Sequence, residues 1–436
     1  MNEIEAVGAE VTRDDSPAER VGRTPPPWLF SMLIGPSAVL MNGVVQGGML
    51  AYFMTQHGVS IGRAAAIIST VSLPTSIYFL WSPITDFVVA RRTWLVIGAI
   101  TGGLLMAEAF RLPDMASRAA VVVMFLAACA SQLVVASCGG MMGTLGEGKP
   151  RVLAGSFYQA GSAGFGALSA FVLIKLVDHS GWFTGLAQAI GGWHRLLIAT
   201  LVLLIAAPGL VALGVPSARE PSKESFGAVI GRLGREFKST FLRWEAIPYT
   251  LLLTFPMNSS AAVGLLPGIA QSYGVSGEQV AWMNGLAGAL LVALGSLAAT
   301  LIPSRTRASV AYLMVGLANA ATLLILWLCP MRPEFYFAGT ALYLFTSGTG
   351  LATFTAVVLE FLGQSGKSGS GRYSIINSIG NIPVLYMIRL DGWGGDKWGP
   401  RGLSGTEAVL SVIGATVLLA YFLSRGRKDT RAVAAG

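Results

Sequence analysis

Two pairs of neutral amides stand inside otherwise apolar stretches: Asn42 with Gln46, and Asn377 with Asn381. In a helix, residues four apart lie on one face. Asn258, followed by Ser259 and Ser260, is a third such point, and Gln132, Gln159 and Tyr373 are of the same kind. Polar side chains in mid-span are costly against lipid and normally face a bundle interior or a water-filled cavity. An amide both donates and accepts, so a lining of this type suits hydroxyls or amides: a sugar, a glycopeptide or a chelator. Hydrogen-bond glue between helices is the other use of such groups. Glue is the expected role of Thr346, Ser347, Thr349 and Thr353, since Ser and Thr also bond back to their own helix.

Few groups could carry charge within the membrane. Glu108 lies in the apolar run around 93–107, with Arg111 one turn on. It is the candidate proton carrier, and a local ion pair with Arg111 is the alternative. Lys175 and Arg389, with Asp178 and Asp391 just beyond them, are expected to be outer-end anchors that snorkel, Asp391 lying at the membrane face. Glu360 closes a span at the opposite face. Three histidines (His57, His179, His194) and three cysteines (Cys129, Cys138, Cys329) are scattered at no metal or nucleophile–base spacing. No enzyme site, cofactor or metal centre is expected from them. "GQSGKSGSG" (363–371) lacks the preceding glycine of a phosphate-binding loop.

The elements that must position these residues are membrane helices. The chain has 436 residues, 53% hydrophobic and 12% charged, against about 25% charged in soluble domains. The charge is swept into short gaps between twelve uncharged runs. About 20 apolar residues span a bilayer as helix, and most runs reach that length alone. Runs 93–107, 373–388 and 408–424 fall short. The first two reach it by taking in Glu108 and Arg389. Strands are excluded, because lipid cannot satisfy an open sheet edge. The fold class is therefore an all-α integral membrane protein with twelve transmembrane helices.

An internal repeat divides them. "NGVVQGGMLAYFMTQHGVS" (42–60) and "NSSAAVGLLPGIAQSYGVS" (258–276) share Asn and Gly-Val-Ser at a shift of 216. The same shift aligns Gly155, Ser162 and Gly164 with Gly371, Ser378 and Gly380. Two parallel six-helix copies form the plan of major facilitator transporters. The boundaries read as a disordered tail 1–25, a first half 26–214, a linker 215–246, a second half 247–424 and a tail 425–436. In the linker, Phe226, Val229, Ile230, Leu233 and Phe237 recur at helical spacing, which suggests an amphipathic surface helix. With both termini cytoplasmic, more than twice as many of the 30 Lys and Arg residues fall inside as outside. The net charge of +8 then reflects topology and not nucleic-acid binding.

The junction of spans 2 and 3, "FLWSPITDFVVARRTW" (79–94), carries a more specific signal. Trp81, Ser82, Pro83, Asp86, Arg91, Arg92 and Trp94 resemble the corresponding junction of bacterial muropeptide permeases and acetyl-coenzyme A transporters, which are major facilitator proteins. The short loop "DFVVARR" lacks the glycine and the basic residue after Asp that are common there, and the resemblance does not carry a muropeptide substrate with it. Asp86 at a helix end can pair with Arg91 or Arg92, or accept from a neighbouring helix N-terminus. It is expected to gate, with Arg91 and Arg92. Solvation of Asp86 and topological anchoring by the arginines are the alternatives. The second half offers only "LIPSRTR" (301–307), without an acid.

These readings converge on a monomeric, multi-pass inner-membrane secondary transporter with lipid, a small polar solute and protons as partners, working in the import direction by alternating access. Direction is not written in the residues. An exporter of drugs or metabolites, or a transport-inactive receptor or assembly factor, fits the same pattern. The Gly- and Trp-rich stretches 178–194 and 391–405 are expected to be outer loops.

Overall fold

The computed structural model describes residues 25–85, 89–143, 145, 149–215, 226–303, 305–363 and 370–434. Among the described residues, eight helices are continuous, apolar and long enough to span a bilayer: α3 (Arg91–Arg111), α4 (Arg118–Gly143), α5 (Lys149–Val177), α6 (Trp193–Gly214), α8 (Gly277–Leu301), α9 (Ala308–Leu328), α10 (Pro333–Leu362) and α12 (Pro400–Phe422). A ninth, α1, is the pair Leu29–Val45 and Met49–Gln56, bent by 41° at Gly48. The others are interrupted. α2 runs Ile61–Ser76 and resumes at Trp81–Ile84, with Pro74 inside it. α11 runs Ser370–Gly380 and Ile382–Trp398, broken before Pro383. α7 begins at Ile247–Thr254 and restarts only at Ala261–Gly264.

The repeat is visible in the backbone. Gly58 and Gly274, 216 apart, adopt φ of 79° and 74°, a region that glycine alone enters at no steric cost. The serine two residues on caps the next helix in each half. Ser60 Oγ accepts from the Arg63 amide, and Ser276 Oγ accepts from the Gln279 amide. The same four-residue chemistry thus starts α2 and α8.

The start of α1 and the end of α12 lie on one face, called here the terminal face; the turns 57–60 and 274–276 lie on the opposite, distal face, with the segment 178–192, which was expected to be a loop and carries a short helix at Thr184–Ile190. Packing differs between the two. At the distal side one apolar core spans both halves and includes Phe110, Leu173, Tyr273, Leu326, Tyr336 and Met387. At the terminal side each half has its own core: Phe30, Leu33, Leu95 and Met141 in the first, Leu252, Phe361 and Phe422 in the second. A helix at Phe226–Phe241 links the halves along the terminal face. Its Phe241 packs on Phe361 of α10 with ring centroids 5.8 Å apart.

Small residues let helices cross closely. A Cβ on Gly295 of α8 would strike the Phe345 carbonyl of α10, and one on Gly348 would strike the Val292 carbonyl. The close approach brings Thr349 Oγ1 to the Gly295 carbonyl (2.8 Å) and Ser296 Oγ to the Gly348 carbonyl (3.0 Å). Gly164 on α5, by contrast, has nothing within 4 Å. Gly348→Val should therefore cost about 1–3 kcal/mol by overpacking and lower the thermal unfolding midpoint in detergent, while Gly164→Ala leaves it unchanged or raises it. Equal midpoints for the two variants would contradict this packing.

Candidate functional site

The predicted amides differ in their surroundings, and one of them, Asn381, bonds across the two halves. The first part of α1 ends in a π-helical stretch, Ala38–Val45, and π-bulges frequently mark functional positions. Asn42 within it is exposed and donates to Ser162 Oγ of α5 at 2.9 Å. Gln46 closes the stretch and is half-buried. Asn381, at the break in α11, donates weakly to the Thr75 carbonyl of α2 at 3.4 Å, and Asn377 is half-buried one turn earlier. Gln132 is buried in α4, 3% exposed, and Gln159 is exposed on α5. The side chain of Tyr373 lies outside the described part. Thr353 bonds back to the Thr349 carbonyl of its own helix, and Thr349 bonds to the Gly295 carbonyl of α8, as glue. Buried Asn319 gathers Thr346 and Ser347 in the same way.

Asn258 occupies the break in α7. Its φ is 51° and that of Ser260 is 54°, both left-handed, which costs a non-glycine residue roughly 1–2 kcal/mol. Its Nδ2 donates to the Tyr312 carbonyl at 2.8 Å, while its Oδ1 is buried without a donor. Asn42 and Asn258 therefore correspond in sequence but have different partners.

The distal ends are latched across the halves. Lys175 Nζ of α5 meets Glu278 of α8 at 2.8 Å. It also sits 3.6 Å from the Trp182 ring centroid, with Phe171 and Trp282 farther out. The lysine is fully buried, so the snorkelling expected of it is incorrect: its charge is met by a carboxylate and an aromatic cage. Asp396 of α11 accepts from Ser60 Oγ (3.0 Å) and the Gly62 amide (2.9 Å) at the start of α2. Between α5 and α8, the ring contact of Phe171 with Trp282 and the Lys175–Glu278 pair lie toward the distal side.

Three other expectations meet the structure differently. Glu108 is 54% exposed on α3 and lies 3.7 Å from Arg111, so the ion-pair alternative matches its surroundings. Arg91 donates to the Gly140 carbonyl of α4, and Arg92 to the Val215 carbonyl beyond α6 at 3.0 Å. These contacts tie helix ends within one half. Asp86 lies outside the described residues. In the second half, where no acid was expected in this role, Glu360 accepts from the Ala308 amide at the start of α9 (3.1 Å) and from Tyr249 (2.7 Å).

The stretch 391–405 is not a loop. Helix continues to Trp398 and restarts at Pro400. The glycines that suggested a loop are packing positions: a Cβ on Gly392 would strike Ala65 of α2, and one on Gly394 would strike Thr406 of α12. Asp391 is consequently fully buried rather than at the membrane face. Glu407 of α12 is also fully buried. It accepts from Tyr343 Oη (2.7 Å), Ser259 Oγ (2.8 Å) and the Ala262 amide (2.9 Å). Sequence reasoning passed over Glu407, although a signal existed: run 408–424 is too short to span and, like the run before Glu108, must take in its flanking acid.

The left-handed backbone at Asn258 can be tested apart from its side chain. Asn258→Gly and Asn258→Ala lose the same amide, but only alanine pays for positive φ. Asn258→Ala should be the less stable by about 1 kcal/mol in thermal unfolding, and equal midpoints would refute the left-handed assignment.

No family model matches this chain, and no curated protein matches it. Solved structures do. A nucleoside transporter, NupG, superposes with TM-score 0.66 at 11% identity, over 91% of this chain and 99% of that one. A POT family transporter in complex with a thioalcohol-conjugated peptide gives 0.65 at 12%, over 91% and 96%. A D-xylose-proton symporter gives 0.63 at 12%, over 90% and 95%. At this identity the likeness carries the fold: the chain has the helical architecture of major facilitator transporters.

Proposed function

We propose that this chain is a secondary transporter that moves a small polar solute across the inner membrane as two six-helix halves rock about a central path. The observation that carries this is the unequal packing of the two faces: one shared core at the distal side, separate cores at the terminal side. A rigid structural protein has no reason to split its core at one end only. Two bodies hinged at one face can exchange which face is sealed.

The Lys and Arg asymmetry makes the terminal face cytoplasmic, so this conformation is closed to the outside. Asn42 with Ser162, Gln46, Asn258, Asn377 and Asn381 offer donors and acceptors without fixed charge, which selects hydroxyl- and amide-bearing solutes over ions. Gln132, Gln159 and Tyr373 extend the candidate set. Asp86, Arg91 and Arg92 remain the candidate cytoplasmic gate. Protons are the proposed coupling partner and import the proposed direction. The solved relatives act on nucleosides, peptides and D-xylose by their names, and the 79–94 junction adds muropeptides to the panel worth testing.

In proteoliposomes with an imposed pH gradient, at least one of radiolabelled D-xylose, uridine, dialanine and a muropeptide should accumulate above its equilibrium level, and a protonophore should collapse it. Asn42→Ala should raise KM for that solute about fivefold, the worth of one hydrogen bond near 1 kcal/mol. Passive equilibration of every solute, with or without the gradient, would count against coupled transport.

A further inference from the structure

Asp391 and Glu407 stand side by side, both fully buried, on facing helices α11 and α12. Their surroundings are unequal. Every donor described there serves Glu407: Tyr343, Ser259 and the Ala262 amide. Neither oxygen of Asp391 has a donor. Burying an ionised carboxylate without hydrogen bonds is prohibitive, and two adjacent carboxylates cannot both ionise away from water. The groups facing the pair offer no cation to relieve this. α10 brings Tyr343, α7 brings Ser259 and backbone, α2 packs Ala65 against Gly392, and Ser404 lies one turn before Glu407. No Lys, Arg or His is among the pair's described contacts.

We propose that Asp391 and Glu407 form a proton site: the pair holds one exchangeable proton, and which carboxyl carries it sets the conformation of the break in α7. With the proton on Asp391, ionised Glu407 accepts all three donors and clamps Ser259 and Ala262. Those residues bracket Ser260 and adjoin Asn258, both left-handed. Strained backbone of this kind persists only while its surroundings hold it. A proton on Glu407 turns one of its oxygens into a donor and weakens the clamp. The strained segment therefore connects the proton site to Asn258 in the proposed solute path. Glu108, 54% exposed, lies outside this network. The use made of the proton rests on the transporter reading; the existence of the site does not.

Infrared difference spectroscopy on the full-length protein in nanodiscs tests this without any solute. Wild type should show a protonated-carboxyl carbonyl band that shifts in D2O and disappears as pH rises. Asp391→Asn should abolish it. Ser259→Ala, which keeps both acids and removes one donor from ionised Glu407, should raise the pH at which the band is lost by about 1 unit, since a hydrogen bond to a charged group is worth at least that. A band unchanged in Asp391→Asn, or a pH midpoint unmoved in Ser259→Ala, overturns the proposal. So does loss of the wild-type band on adding sodium at fixed pH, which would make the pair a sodium site. Because this readout uses no solute, failed uptake in proteoliposomes and a failed proton site remain distinguishable.

Discussion

A backbone group inside a bilayer has no water to bond with, so a helix can break there only where other parts of the protein take over its hydrogen bonds. The break in α7 meets that condition through side chains from several other helices. Tyr386 of α11 donates to the Thr254 carbonyl (2.7 Å), Ser411 of α12 to the Pro256 carbonyl (2.7 Å) and Tyr312 of α9 to the Met257 carbonyl (3.3 Å). On the donor side, Ser259 takes the Ala261 amide and Glu407 takes the Ala262 amide. The segment therefore belongs to the whole second half and not to α7 alone. Any change in it must be felt by α9, α11 and α12 together.

In the proposed mechanism that shared segment is where the second half is controlled. The halves meet in a common core distally, and the latch of Lys175 on Glu278 crosses between them there. The latch is asymmetric: its lysine is fully buried while its glutamate is 55% exposed. Water can compete for the glutamate, so the pair can part without stranding a charge in hydrocarbon until the aromatic cage also opens. Along α2 and α11 the halves are joined by short bonds toward the distal face, Ser69 Oγ to the Leu385 carbonyl at 2.8 Å and Arg389 to Thr70 Oγ1 at 3.0 Å, and by longer ones toward the terminal face, Phe79 to Ser378 at 3.3 Å and Asn381 to Thr75 at 3.4 Å. Longer hydrogen bonds at the terminal end suit a seam that opens there.

Much of the scaffold was legible because lipid imposes simple rules. Uncharged runs marked the spans, and the shift of 216 marked the repeat, whose Gly58–Ser60 and Gly274–Ser276 turns show the same geometry. Of the amides, Asn381 bonds across the halves to Thr75 while Asn42 bonds within its own half to Ser162. The failures have a common cause. Charge was read as a sign of the membrane face, yet Lys175 and Asp391 are fully buried, and Glu407, passed over in the sequence, is buried among donors that only tertiary packing supplies. Glycine was read as a sign of loops, yet Gly392 and Gly394 mark where helices touch. Neither distinction exists in one dimension, since partner and neighbour come from elsewhere in the chain.

In the proposed mechanism the two halves exchange which face is sealed, under control of a proton in the second half. Spin labels at Arg151 on α5 and Leu301 on α8, both exposed at the terminal face, report the opening directly as a distance distribution. Two populations are expected, whose ratio changes between acidic and alkaline pH in wild type and stays fixed in Asp391→Asn. A single distance that does not change with pH in wild type would contradict it.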